Sequence, residues 1–111
     1  MKMIITLAAF LPLLAACGKD GAPAAPSALA GQTMAGGVQL SWKDNSSNED
    51  MFMIMSKSGT GAYTQAATVD FNVTTYMDMG LTSGTQYTFM VMAMNKAGQS
   101  MGSNEVTVTI P

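Results

Sequence analysis

From Ser27 onward, apolar and polar residues alternate with a period of two. Val38, Leu40 and Trp42 are separated by Gln39 and Ser41. Phe52 and Ile54 interleave with Met51, Met53 and Met55. Tyr87, Phe89, Val91 and Ala93 interleave with Thr88, Met90, Met92 and Met94, and Val106, Val108 and Ile110 with Thr107 and Thr109. Successive side chains of a strand point to opposite faces, so this pattern predicts half-buried antiparallel strands with one face in a core. Turn formers punctuate the runs at Gly36-Gly37, Asn45 to Asn48, Ser58 to Gly61, Gly80, Ser83-Gly84 and Ala97-Gly98. Strands are predicted over 27–33, 38–43, 51–57, 62–69, 74–78, 85–95 and 103–110. No segment has a helical period. Short strands at this spacing predict an all-β, seven-stranded antiparallel sandwich.

The first residues follow a different pattern. Lys2 gives a positive start, and Ile4 to Leu14 is apolar apart from Thr6 and Pro12. The small residues Ala15 and Ala16 then precede Cys17. This is the layout of a secretory signal, too short to span a bilayer as a helix. Leu14-Ala15-Ala16-Cys17 resembles the bacterial lipobox. The resemblance implies cleavage between Ala16 and Cys17, with Cys17 left as an acylated N-terminus. An ordinary signal peptide with a chance cysteine is the competing reading, but the chain's single Cys falls at the position that matters. Several acyl chains on one cysteine suffice for stable anchoring. The expected organisation is a cleaved signal at 1–16, a lipidated Cys17 with a flexible Gly/Ala/Pro linker through 26, and a folded domain over 27–111. The expected location is a bacterial cell envelope. Gly18 rather than Asp after the cysteine favours the outer membrane of a Gram-negative cell.

Within the folded part, Trp42, the run Asp44 to Asp50, then Phe52 and Ile54 resemble a bacterial fibronectin type III domain. Leu81-Thr82-Ser83-Gly84-Thr85-Gln86-Tyr87 is similar to the Leu-x-x-Gly-x-x-Tyr tyrosine corner of that family, and Ser103 to Thr109 to its last strand. The resemblance covers about residues 26 to 111. It implies that Trp42 fills the space between two sheets. It also implies that Tyr87 buries its ring while its hydroxyl reaches a backbone group, with Leu81 and Gly84 shaping the corner.

Composition removes several function classes. The chain carries 5 basic residues, all Lys, against 7 acidic ones, a net charge of −2. A nucleic-acid site needs clustered Lys and Arg, so none is expected. There is no His for base or metal chemistry, and the one thiol is assigned to lipid. Ser41, Ser46 and Ser47 have no neighbouring base to activate them. No enzyme and no cofactor beyond the acyl lipid are therefore expected. Asp44, Glu49 and Asp50 crowd one loop, but their spacing matches no calcium loop, and side chains bonding within a turn account for them better. The loop Asn95 to Ser100 contains no Arg-Gly-Asp.

Methionine is the remaining anomaly, with 12 residues in the chain and no Arg. If Phe52, Ile54, Phe89, Val91 and Ala93 face inward, Met51, Met53, Met55, Met90, Met92 and Met94 face outward. In the resembling family the strands holding them are neighbours, so the six would form one exposed apolar patch. Such a face suits a soft metal such as Cu(I), an adaptable protein partner, or reversible oxidation to the sulfoxide. A fourth reading has Met standing where relatives carry Arg or Lys, as at Met53, Met90 and Met92, with no function attached. The partner face and this last reading rank above copper. The whole sequence suggests a membrane-anchored, non-catalytic interaction or spacer module, meeting protein or glycan. Handling of Cu(I) or oxidant by the Met face is the alternative.

Overall fold

The computed structural model describes residues 21–111. The predicted cleavage site and Cys17 lie outside the described residues. Eight strands follow in order: β1 (Ser27–Met34), β2 (Gly37–Lys43), β3 (Met51–Ser58), β4 (Thr64–Asp70), β5 (Thr75–Met79), β6 (Gln86–Asn95), β7 (Gly98–Gln99) and β8 (Val106–Thr109). They form two antiparallel sheets. One has the order β1-β2-β5; the other runs β4-β3-β6-β7, with β8 also paired to β6. The sheets face each other as a sandwich, as the alternation predicts.

Alternation places the core. Val38 and Leu40 from one sheet, and Phe52, Ile54, Phe89, Val91 and Ala93 from the other, are fully buried. Trp42 lies among them, edge-on to Phe52 with ring centroids 5.7 Å apart. Leu29 and Ile110 complete the buried set at the margins.

The predicted strand 103–110 forms only over Val106–Thr109, and the eighth strand is the two-residue β7 (Gly98–Gln99), which lies where the sequence predicts a turn. Between β7 and β8, two serines replace ladder residues. Ser100 donates its N–H to the Ala93 carbonyl (2.7 Å), and its Oγ accepts the Ala93 N–H (2.8 Å). Ser103 does the same with Val91, at 2.8 and 2.9 Å. The edge of β6 is thus satisfied by hydroxyls while residues 100–105 bow outward. Buried backbone groups need partners, and a serine side chain supplies one without a regular strand.

A second irregularity ties the sheets together. The β1–β2 register shifts between Ser27 and Ala30, and Ala28 has φ +54°. This turns the backbone of Leu29 away from β2. The Asn104 amide receives it, accepting the Leu29 N–H at 2.8 Å and donating to the Leu29 carbonyl at 3.0 Å. Asn104→Ala is expected to leave both groups without this partner and to cost about 1–3 kcal/mol, read from the urea midpoint at unchanged slope.

The corner before β6 is built as its residues suggest. Thr85 N–H closes a turn on the Thr82 carbonyl (3.2 Å), and Gly84 takes φ +82°, a region that disfavours side chains. Tyr87 Oη accepts the Thr82 N–H at 3.1 Å, its ring tilted against Phe89. Leu81 packs on the core.

Residues 21–26, read from the sequence as the end of a flexible linker, lie on the domain instead. Pro23 and Pro26 are buried. The Gly21 carbonyl accepts from both Asn48 Nδ2 (3.0 Å) and Asn95 Nδ2 (3.1 Å), and the Ala25 carbonyl from Asn45 Nδ2 (3.0 Å). Composition suggested a tether because these residues lack large side chains. Proline rings and backbone carbonyls dock without them.

Candidate functional site

The six methionines of β3 and β6 share the outer face of the larger sheet. The antiparallel register sets Met51 opposite Met94, Met53 opposite Met92 and Met55 opposite Met90. Three Met–Met rows therefore stack along two adjacent strands. Directly opposed side chains have Cβ atoms about 4.5–5.5 Å apart, close enough for thioethers of a row to touch.

The expectation of an openly exposed patch needs correction. Met53 and Met92, in the middle row, are only 9 % exposed, and the four flanking methionines are half-buried. Opposed rows on adjacent strands bring these long side chains close enough to shield one another. Two further groups close the lower end of the face. The Met90 sulfur lies against Gly102, so close that a Cβ there would sit 2.6 Å from it. Tyr63, just before β4, carries Lys57 Nζ 4.7 Å over its ring and donates its hydroxyl to Glu105, just before β8. Since β4 and β8 flank β3 and β6, the phenol crosses the sheet beside the last Met row. Burial, with the Glu105 carboxylate beside it, pushes the Tyr63 hydroxyl far above its ordinary range, so it stays a donor. The methionines that do stand in solvent are others: Met77, Met79 and Met101. The alternation gave the face correctly, but exposure depends on what neighbouring strands lay across it.

The acidic loop between β2 and β3 is a turn held by its own side chains and by bonds to neighbouring segments. Asp44 Oδ1 accepts the Ser46 N–H (3.0 Å). Glu49 is buried, accepting Ser46 Oγ–H at 2.8 Å and the Asn72 N–H at 3.2 Å. No cluster of three or more His, Cys, Asp or Glu side chains arranged for a metal occurs among the described residues. Burial raises the Asp44 carboxyl, helped by the adjacent Glu49 and opposed by the Ser46 N–H. Burial also pushes Glu49 upward, but hydrogen bonds with Asp44, Ser46 and Asn72 outweigh it and hold the carboxyl below its usual range. The two act oppositely on stability. Glu49 contributes above the ordinary glutamate range and is lost as pH falls through its lowered value. Asp44 is best accommodated when protonated, so its contribution is complete below the ordinary aspartate range and disappears as pH rises through its raised value. Asp44→Asn keeps the acceptor for Ser46 and removes the second charge. It is expected to be at least as stable as the parent at neutral pH and to lose that advantage in acid, as thermal melts across pH 3–7 would show.

That loop belongs to one end of the sandwich. The same end holds the β4–β5 connection at 71–74, the β6–β7 turn and Gly21. Glu49 bonds Asn72, and Asp50 N–H bonds the Met94 carbonyl at 2.8 Å. Phe71 is 59 % exposed here and Val73 37 %. Neither stands out in the sequence, where Asp70-Phe71-Asn72-Val73 continues the alternation; only their position on a loop leaves them uncovered.

This arrangement of strands recurs widely. The chain is similar to the FN1–FN3 domains of chicken CNTN1, with a TM-score of 0.72 and 18 % identity over 82 % of this chain and 33 % of that one. It thus spans about a third of that multidomain relative. It is also similar to the twitchin kinase region of C. elegans, with a TM-score of 0.70 and 28 % identity over 80 % of this chain and 17 % of that one. An Fn3-like protein from Clostridium thermocellum matches with a TM-score of 0.67 and 26 % identity over 82 % of this chain and 96 % of that one. No curated protein matches the chain in sequence. The fibronectin type III domain model matches residues 22–109, beginning at the docked segment rather than after it, and the chain belongs to the fibronectin type III family.

Proposed function

We propose that this chain is a lipid-anchored envelope module whose fibronectin type III domain serves interaction or spacing rather than catalysis. The observation that carries the reading is the placement of Gly21. It is pinned to one end of a complete sandwich, 4 residues after the single cysteine at a lipobox-like sequence. On this reading Cys17 carries acyl lipid, the membrane is one partner, and a protein or glycan is met by loops or a sheet face. Fold alone does not choose that ligand. The test is the mass of the mature protein isolated from membranes of its native host. Cleavage before Cys17 with added acyl mass supports the reading. An unmodified Cys17, or a soluble mature chain, overturns it. The same spectrum reports whether Met or Arg occupies the face.

A second reading is favoured by the register of β3 and β6. Three opposed Met pairs gather soft donors on one surface, as Cu(I) binding or oxidant scavenging would need. Competition for Cu(I) against a weak chelator tests the metal form. Equal retention of copper by the parent and by the Met53→Leu, Met92→Leu chain would sink it.

A further inference from the structure

The end of the domain that receives Gly21 has the features of a surface meant to lie close to something apolar. Cys17 and Gly21 are four peptide steps apart, and four extended steps span at most about 14 Å. Gly21 is not free to swing, because Asn48 and Asn95 both hold its carbonyl and Pro23 is buried behind it. A lipid on Cys17 therefore fixes which end of the sandwich faces the bilayer. It is the end made by loops 44–50, 71–74 and 96–97. This end carries Phe71, the most exposed aromatic side chain of the described core-sized residues, with Val73 two positions on. The backbone between them is held firmly: Asn72 has φ +65° and donates its N–H to the buried Glu49. Two apolar side chains are thus presented by an ordered loop at the end nearest the predicted anchor.

We propose that this end rests on the lipid surface, with Phe71 and Val73 seated at the boundary between headgroups and acyl chains. The inference rests on the reading that Cys17 is acylated. Loop ends with amphipathic or apolar side chains partition into that boundary when a tether removes most of the entropic cost of approach. Charge does not drive the contact. Asp44, Glu49, Asp50 and Asp70 outnumber Lys43 and Lys96 at this end, so a zwitterionic surface suits it better than an anionic one. The domain would then stand upright on the membrane. Its opposite end, with the turns at 35–36, 59–63 and 80–85, would face outward.

The experiment uses the mature lipidated chain in phosphatidylcholine–phosphatidylethanolamine vesicles whose acyl chains carry bromine near the headgroup. Bromine quenches tryptophan at short range. Native Trp42 is buried in the core and gives a constant background. Phe71→Trp places a probe at the proposed contact, and Thr60→Trp places one on an exposed turn at the far end. Both positions are on loops, so the fold should tolerate them, and circular dichroism checks this. The expected result is that the Phe71→Trp chain loses most of its added emission in brominated vesicles while the Thr60→Trp chain keeps its own. Equal emission loss, or none, in a chain that has the acyl mass and floats with the vesicles overturns the orientation and leaves the pair available to a protein partner. A chain that lacks the acyl mass and does not float overturns the anchor, and the orientation with it. Mass and flotation separate the two failures.

Discussion

Trp42→Ala is expected to destabilise the domain by about 3–5 kcal/mol, close to the whole stability of a small domain. Trp42 is 6 % exposed, sits edge-on to Phe52 and belongs to β2, the central strand of the smaller sheet. Removing it takes away aromatic area from both sheets at once, and the β1-β2-β5 layer cannot close the gap without breaking the register with β5. Trp42→Phe is expected to be milder, because it keeps an aromatic ring in the same place and leaves a smaller void. One feature lowers its cost further. The buried Trp42 Nε1–H has no hydrogen-bond partner among the described residues, so the exchange sacrifices no bond seen there. Equilibrium unfolding in urea measures both. A loss for Trp42→Phe as large as for Trp42→Ala would show that a retained phenyl ring does not fill the space between the sheets.

The second large effect comes from neighbours in sequence. Val91→Lys should unfold the domain, costing more than about 4 kcal/mol, whereas Met92→Lys should cost less than about 1 kcal/mol. Val91 is completely buried, with its N–H and carbonyl both engaged by Ser103. An ammonium placed there would be buried among the apolar side chains of the core. Met92 is nearly as inaccessible by area, yet it lies on the outer face, opposite Met53. A lysine stem can replace its methylenes and carry the charge past the edge of the Met layer into solvent. Exposure alone ranks the two positions together at 0 and 9 %; direction separates them. If Met92→Lys proved as damaging as Val91→Lys, the Met face would be a second core rather than a surface.

These contrasts also show how legible the protein was. The inward set of β2, β3 and β6 follows from period-two alternation, and each of those strands falls within a residue or two of its predicted bounds. The corner at Leu81, Gly84 and Tyr87 was legible through its resemblance to the family's tyrosine corner; Gly84 takes φ +82° and the half-buried Tyr87 accepts the Thr82 N–H. The carboxylates of 44–50 were legible as a turn, since Asp44 and Ser46 bond locally. The short strand β7 and the irregular stretch that follows it were not. Ser100 and Ser103 look like ordinary polar positions until Ala93 and Val91 are known to face them. Asn104 is one polar residue in the run Ser103 to Thr109, and its bonds to Leu29 span 75 residues.

What the sequence by itself determined is therefore what local spacing can encode: which residues are strands, which side of each strand is apolar, and where the chain must turn. It also sets the single cysteine at the end of the lipobox-like run Leu14-Ala15-Ala16-Cys17, on which the proposed anchor rests. The tertiary structure alone decided the pairing of Met51 with Met94, Met53 with Met92 and Met55 with Met90. It decided how deeply those methionines cover one another, and that Gly21 to Pro26 dock instead of hanging free. The reason is physical. Side-chain direction repeats every two residues and can be read from one strand. Register, shielding and docking depend on groups brought together from distant parts of the chain, and no single stretch of sequence contains both partners.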